Sequence, residues 1–488
     1  MSPRRAVRED GLLLAFYGDD FTGSTDALEF LERAGMRTVL FLEAPTPARL
    51  AAYPGLRAVG VAGATRALPP DAIEERLRPA LARLRGLGAP HVHYKVCSTF
   101  DSSPAVGSIG RAIDVAADVF HVKFVPLLVG TPALGRYCIF GNLFARVGIG
   151  SDGPIHRLDR HPVMSRHPTT PARDSDLRRH LARQTDKRVG LFDILQVALP
   201  PAKRRAALDA LVAGGADVVL FDILEARQFE ALGGLIDAFA SREQPLFSVG
   251  SSGIESALTA HWAACGRIGP ARTWPKTGSA MGPLLVVSGS SSGVTGRQIE
   301  WAVAHGYAEV PLDTAALLHP SRAIRADAGR RRPEAEAAKI AADHLRAGRS
   351  VIVHTSRGHG DPRLTETAAG LARGGLSPVA AKILAAERLG STLGRIARAA
   401  FEHVPVRRLL VAGGDTSSYA ARALGIESVE MASPLLPGAP LCRARAPGSP
   451  IDGREVAFKG GQLGSEDYFE LVRLGCPPGA KGPSGRWS

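Results

Sequence analysis

Phe16-Tyr17-Gly18-Asp19-Asp20-Phe21-Thr22-Gly23-Ser24-Thr25-Asp26 ends a short apolar run and opens a helical pattern. Paired carboxylates at the C-terminal edge of a strand can orient a hydroxyl, accept its proton or hold Mg²⁺. The plainer reading makes Asp20 or Thr22 a helix cap and Asp26 a first-turn residue. Two further segments also follow strand candidates: Ala64-Thr65-Arg66-Ala67 and Lys95-Val96-Cys97-Ser98-Thr99-Phe100-Asp101-Ser102-Ser103. They add a guanidinium able to clamp a carboxylate, an ammonium point charge and several hydroxyls. Each residue alone reads as a cap or a surface group. Together, two acids, two cations and hydroxyls suit a small polyhydroxylated acid.

The second half carries three glycine-rich elements: Ser288-Gly289-Ser290-Ser291-Ser292-Gly293-Val294-Thr295, Gly413-Gly414-Asp415-Thr416-Ser417-Ser418, and Lys459-Gly460-Gly461-Gln462-Leu463-Gly464. Glycines at a strand-to-helix turn let backbone approach a ligand, and helix N-termini offer free N–H groups to anions. Asp415 would hold a metal or orient a hydroxyl there; the alternative is an ordinary turn capped by Asp415 or Thr416. None of the three matches G-x-x-x-x-G-K-[ST] or G-x-G-x-x-G, so neither of those folds is licensed. Three phosphate-suited loops in one domain favour a nucleotide site.

These residues need a scaffold. Apolar runs at 12–17, 38–42, 91–96, 124–129, 218–223 and 245–249, then 284–288, 351–355, 409–412 and 428–431, alternate with amphipathic stretches. That alternation predicts parallel α/β units. The aperiodic segment 266–283, rich in Pro and Gly, reads as a linker. The expected fold is therefore two α/β domains, 1–265 and 284–476, with mostly parallel sheets and an interdomain active-site cleft, followed by a disordered tail over 477–488. Helical patterns are expected to begin near Gln298 and at Tyr419.

The 488 residues are 45% hydrophobic, 22% charged and only 6% aromatic, an ordinary globular composition. A net charge of +13 comes from scattered arginines, with one cluster at Arg330-Arg331-Arg332, so no nucleic-acid surface is expected. Anionic substrates are a sufficient account of the excess. Five cysteines lie far apart with no C-x-x-C pair, which indicates neither a zinc site nor a disulfide framework. The run 12–17 is too short for a signal peptide and no run approaches membrane-spanning length, so a cytoplasmic protein is expected. A homodimer is compatible with two large α/β domains, but no segment argues for one.

The order of Gly18-Asp19-Asp20-Phe21-Thr22-Gly23, Lys95-x-x-Ser98-Thr99, Ser288-Gly289-Ser290, Gly413-Gly414-Asp415-Thr416 and Lys459-Gly460-Gly461-x-x-Gly464 resembles the four-carbon acid sugar kinase family, over about 13–471. The resemblance implies an N-terminal sugar-acid domain and a C-terminal nucleotide domain that phosphorylate threonate, erythronate or oxo-tetronate with ATP, assisted by Mg²⁺. It implies that Asp19 or Asp20, Arg66, Lys95, Val96, Cys97 and Ser98 meet the acid. Ser290, Gly413, Gly414, Asp415, Thr416, Gly460 and Gly461 would meet ATP, and no metal ligand is assigned. Asp20 or Asp19 is the candidate base, with Asp415 competing. Many members continue the lysine motif as D-S-T-L-R-G-N, whereas here Cys97 precedes Ser98-Thr99 and Phe100-Asp101-Ser102-Ser103-Pro104 follows. That change resembles a sub-branch acting on branched, apiose-derived acids such as 3-oxo-isoapionate. Two other classes remain open at this point: a Mg²⁺-dependent phosphatase or hydrolase built on Asp19-Asp20, and a sugar-acid sensor without turnover.

Overall fold

The computed structural model describes residues 11–147, 152–167, 169–274, 282–318 and 333–475. These fall into two compact units, the first ending at Thr273 and the second beginning at Trp274. The Arg330–Arg332 cluster, the expected tail and residues 275–281 of the expected linker lie outside the described residues.

The first unit contains β1 (Leu14–Gly18), β2 (Thr38–Phe41), β3 (Ala58–Ala62), β4 (His91–Lys95), β5 (Val125–Leu128), β9 (Val189–Phe192), β10 (Val218–Phe221) and β11 (Leu246–Gly250). They form one parallel sheet in the order β2-β3-β1-β4-β11-β5-β10-β9. Most of these strands are buried along their whole length, as parallel strands covered by helices on both faces must be. Between β5 and β9 the chain inserts a small antiparallel sheet of β6 (Arg136–Ile139), β7 (Asn142–Arg146) and β8 (Ile155–Arg157).

Helix α1 (Phe21–Arg33) starts where Asp20 caps it, accepting from the Gly23 N–H at 2.6 Å. Helix α2 (Pro70–Arg85) turns Ile73, Leu77, Leu81 and Leu84 inward at helical spacing. Helix α3 (Ile109–Phe120) is capped by Ser108, and α4 (Ser252–Ala264) follows β11 with Ser251 as its cap.

The second unit contains β12 (Leu284–Ser288), β13 (Ala308–Pro311), β14 (Val351–His354), β15 (Arg408–Ala412), β16 (Ser428–Leu436), β17 (Ala439–Arg445) and β18 (Glu455–Lys459). Strands β13-β14-β12-β15-β18 run parallel, and β17 and β16 continue the sheet antiparallel. Helix α5 (Gly293–Ala304) follows β12, α6 (Pro378–His403) precedes β15, α7 (Gly414–Ala423) follows β15, and α8 (Tyr468–Leu474) closes the described chain.

The helix expected near Gln298 thus begins at Gly293, and the one expected at Tyr419 begins at Gly414. Asp415 and Thr416 therefore sit inside the first turn of α7, and neither caps it: the cap position is Gly413, which has no side chain to give. Among the described residues no helix is long and apolar enough to cross a membrane.

Candidate active site

In each unit the first strand is flanked by strands reached in opposite directions, which makes a topological switch point. Loops after the two strands at such a point diverge and leave a crevice at the carboxyl ends of the strands. In the first unit that point lies between β1 and β4, where Gly18 pairs in register with Lys95 and, on its other side, with Ala62. The Asp19 N–H donates to the Lys95 carbonyl at 2.9 Å, and the Gly63 N–H to the Gly18 carbonyl at 3.0 Å. The sheet alone thereby assembles three segments that are distant in sequence.

Asp19, Asp20 and Arg66 meet directly. Arg66 donates from Nε and Nη2 to the two Asp19 oxygens at 3.0 and 2.7 Å, and from Nη1 to Asp20 Oδ2 at 2.6 Å. Asp20 therefore caps α1 and binds Arg66 at once, so the capping and functional readings coexist. Burial pushes the Asp19 carboxyl up to about 6; Arg66 pulls against that rise and Asp20 adds to it. A Cβ on Gly23 would come within 2.6 Å of Asp20 Oδ1 and 3.5 Å of Arg66 Nη2, so this position keeps the approach to the carboxylates open.

Lys95 faces another way. It is fully buried, with Nζ 3.1 Å from Asp26 Oδ2 and bonded to the Val96 carbonyl at 3.2 Å. Burial opposes its charge, yet Asp26 and Glu255 hold its pKa above the ordinary value. Asp26 is not a bystander in the first turn: it also accepts from the Ser252 hydroxyl of α4. Glu255 is a residue the sequence did not single out. Both of its carboxyl oxygens are buried without a hydrogen-bond partner among the described residues, 3.6 Å separates Oε1 from His93 Nε2, and burial pushes the carboxyl up to about 8.

The rest of the lysine segment turns tightly. Val96 is buried and its N–H donates to the Gly250 carbonyl at 2.8 Å. Cys97 Sγ lies 3.0 Å from Thr99 Oγ1, and burial pushes the thiol up to about 11. Ser98 is nearly buried beside it. Phe100 adopts a left-handed φ of 55°, and the Phe100 N–H closes the turn on the Cys97 carbonyl at 2.9 Å. Non-glycine residues hold such backbone only where their surroundings impose it. Beyond it, Thr99, Phe100, Asp101, Ser102, Thr170 and His180 line a small pocket.

In the second unit the switch point lies between β12 and β15. The Gly289 N–H donates to the Ala412 carbonyl at 3.0 Å, the Gly413 N–H to the Lys459 carbonyl at 2.9 Å, and the Thr355 N–H to the Ser288 carbonyl at 3.0 Å. The three glycine-rich segments thus converge as neighbours. A Cβ on Gly289 would lie 2.2 Å from Thr416 Oγ1, one on Gly413 2.7 Å from the same atom, and one on Gly461 2.9 Å from Ser290 Oγ. Lys459 Nζ donates to Thr295 Oγ1 at 2.9 Å, and Thr295 donates to the Gly461 carbonyl at 3.0 Å. Burial pushes Lys459 down to about 7. Asp415 is exposed at the start of α7, adjoining this cradle, and Gly460 and Gly414 are half-buried.

Two family models match the chain: a sugar-binding N-terminal domain over residues 14–258 and a nucleotide-binding C-terminal domain over residues 285–469. The chain belongs to the four-carbon acid sugar kinase family. As a member of that family it is a kinase of sugar acids, and each of its two units carries the match to one of the two models. It is 44% identical over 475 residues to a 3-oxo-isoapionate kinase of Paraburkholderia graminis, covering 96% of each chain. It is 33% identical to a 3-oxo-tetronate kinase of Methylobacterium radiotolerans, covering 94% of this chain and 98% of that one. A solved structure from Salmonella typhimurium LT2, described as a putative tRNA synthase, superimposes with a TM-score of 0.70 at 25% identity, over 94% of this chain and 98% of that one.

Proposed function

We propose that this member of the four-carbon acid sugar kinases transfers the γ-phosphoryl group of ATP to a hydroxyl of a branched 3-oxo acid of the 3-oxo-isoapionate type. The observation that carries the substrate reading is the 44% identity to a 3-oxo-isoapionate kinase, over 475 residues and 96% of the chain.

The chemistry of the residues supports it. Phosphoryl transfer asks for positioning and charge neutralisation more than for covalent help. In the second unit, the Gly289, Gly413 and Gly461 segments converge beside the start of α7, the kind of backbone cradle that receives phosphate oxygens. Ser290 and Thr416 add hydroxyls, and Lys459 adds a cation once a phosphate is present to hold its proton. The side chains also fit Mg²⁺ as it is usually bound, by phosphates, water and one or two carboxylates. Asp415 would be the carboxylate and the ion would spread the developing charge.

In the first unit, Asp19, Asp20, Arg66 and the Lys95–Ser98 segment form the acid-sugar side. Asp19 is our candidate for the base that takes the acceptor hydroxyl's proton. Its carboxyl titrates near 6, close enough to neutrality to accept a proton and still be ionised at working pH.

Coupled ADP release with MgATP tests this against 3-oxo-isoapionate, 3-oxo-tetronate, threonate and erythronate. We expect turnover with the branched acid at the highest kcat/KM, falling as pH drops below about 6. ADP release with no acid in the panel overturns the kinase reading. Preference for the linear 3-oxo-tetronate overturns the branched-acid reading alone.

A further inference from the structure

The sugar acid's carboxylate needs a cation, and the two cations nearest the first-unit switch point are already engaged. Arg66 spends its Nε/Nη2 edge on Asp19 and its Nη1 on Asp20, so the trio carries a net negative charge. Lys95 is held by Asp26. Arg136, at the start of β6, is in a different condition. It is only 6% exposed, and every side-chain hydrogen bond it makes among the described residues leaves from Nη1, to the carbonyls of Leu134, Gly135 and Arg146 at 3.0, 3.3 and 3.1 Å. Its Nε is buried with no partner, and Nη2 makes no hydrogen bond among the described residues.

The unengaged atoms are the side-on edge of the guanidinium, the same edge Arg66 presents to Asp19. Two parallel N–H donors there match the two oxygens of a carboxylate. Arg136 also lies beside the right segment. Its backbone pairs with Thr131 at 2.9 and 3.1 Å, Thr131 Oγ1 lies 2.7 Å from Ser251 Oγ, and the adjoining Gly250 carbonyl accepts the Val96 N–H at 2.8 Å. Cys97 and Asp101 favour the Arg136 charge, and Cys97 does the same for Arg66. Asp101 Oδ1 is buried and unpartnered, suited to accept from a hydroxyl of the same molecule. The loop 97–101 therefore bridges the Asp19–Arg66 cluster and the open edge of Arg136.

We propose that Arg136 recognises the carboxylate of the sugar-acid substrate, side-on through Nε and Nη2. The inference rests on the sugar-acid kinase reading above and adds the residue that makes the enzyme demand an acid. The three carbonyls on Nη1 fix the guanidinium plane, so the fork is aimed before substrate arrives.

The test compares wild type, Arg136→Met and Arg136→Lys on 3-oxo-isoapionate and its primary amide, measuring ADP release with folding checked by thermal unfolding. In wild type the amide should bind far more weakly than the acid. Arg136→Met should raise KM for the acid about 100-fold, the scale of a lost bidentate charge-assisted pair. KM for MgATP should not change and the preference for acid over amide should collapse. Arg136→Lys keeps a charge without the fork, so it should stay folded and still lose at least about tenfold in acid KM. A folded variant with unchanged acid KM, or equal losses on acid and amide, overturns the proposal. Failure of wild type to turn over any acid would instead sink the kinase reading.

Discussion

Lys459 closes β18 with its ammonium in the interior, hydrogen-bonded to one hydroxyl and to no carboxylate among the described residues. Burial holds its pKa near 7, against 10.5 for an ordinary lysine. Below pH 7 both folded and unfolded chains carry the proton, and the folded one bears the full cost of burying a charge. Between 7 and 10.5 only the unfolded chain stays charged, and it binds more protons, so this lysine's contribution to stability rises with pH. Lys459→Met should therefore stabilise the unliganded protein at pH 7 and below, by about 5 kcal/mol at most, from the drop from 10.5 to about 7 at about 1.4 kcal/mol per tenfold change in proton affinity. The gain should fade toward pH 10. A phosphate beside Nζ reverses the balance and restores the charge. Nucleotide binding at pH 8 should then take up close to one proton, seen as buffer-dependent enthalpy in calorimetry, and Lys459→Met should abolish that uptake while weakening binding about 100-fold. Enthalpy independent of buffer in wild type would remove Lys459 from the phosphate site.

At the scale of elements, the second-unit cradle depends on how β15 becomes α7. Gly413 stands at φ 119°, ψ 131°, a conformation closed to residues with a Cβ, and its Cβ would press on Thr416. The cap position Gly413 gives α7 no side-chain hydrogen bond, and a helix start is where backbone N–H groups meet an anion. Gly413→Ala should cost about 1–3 kcal/mol of stability from backbone strain and raise KM for ATP at least tenfold, with KM for the acid unchanged. Gly448→Ala is the control: φ is also positive, at 75°, but the Cβ would meet open space. It should lower Tm without moving either KM. These elements were also where the sequence was most readable. Strands such as Leu284–Ser288 and Arg408–Ala412 announce themselves as unbroken apolar runs ending at glycine, because parallel strands are covered on both faces. The sheet Arg136–Arg157 did not, since its strands are antiparallel, half-exposed and written in Arg, His and Asn. Ala58–Ala62 is short and of small residues, and Glu455–Lys459 lies outside the expected strands, where the glycine-rich segment beginning at Lys459 draws the eye. The same contrast governs the site. Asp19, Asp20, Gly289, Gly413 and Gly461 stood out because local spacing carries their meaning. Glu255 on α4 and Arg136 on β6 look like surface residues in one dimension. Only the sheet order, which brings β11 beside β4, and the folding-back of the inserted sheet give them their surroundings.

For the molecule as a whole, the two units repeat one solution on two sequences. Each takes its first strand, sends the chain outward on both sides of it, and places the candidate ligand residues where the paths part. The allocation of one ligand to each unit follows from the chemistry at each point. The first holds carboxylates and cations in pairs, suited to hydroxyls and a carboxylate; the second holds glycines, hydroxyls and one desolvated lysine, suited to phosphates. An excess of 13 positive charges fits a catalyst that collects two anions, and it predicts salt-sensitive association for both. Hydrogen exchange on the full chain separates the assignments. The sugar acid alone should slow exchange in 18–26, 63–68 and 95–103, and leave 289–298 and 413–418 unchanged. MgADP alone should do the reverse. Local protection of this kind reports which backbone the ligand orders, because exchange there proceeds through local opening that the ligand must suppress. If the acid alone protected 413–418, or the nucleotide alone protected 95–103, the division of labour argued here would be wrong even with kinase activity intact. If each ligand protects only its own set, the residual question narrows to the hydroxyl, and the base that serves it must come from the set the acid orders, where Asp19 stands.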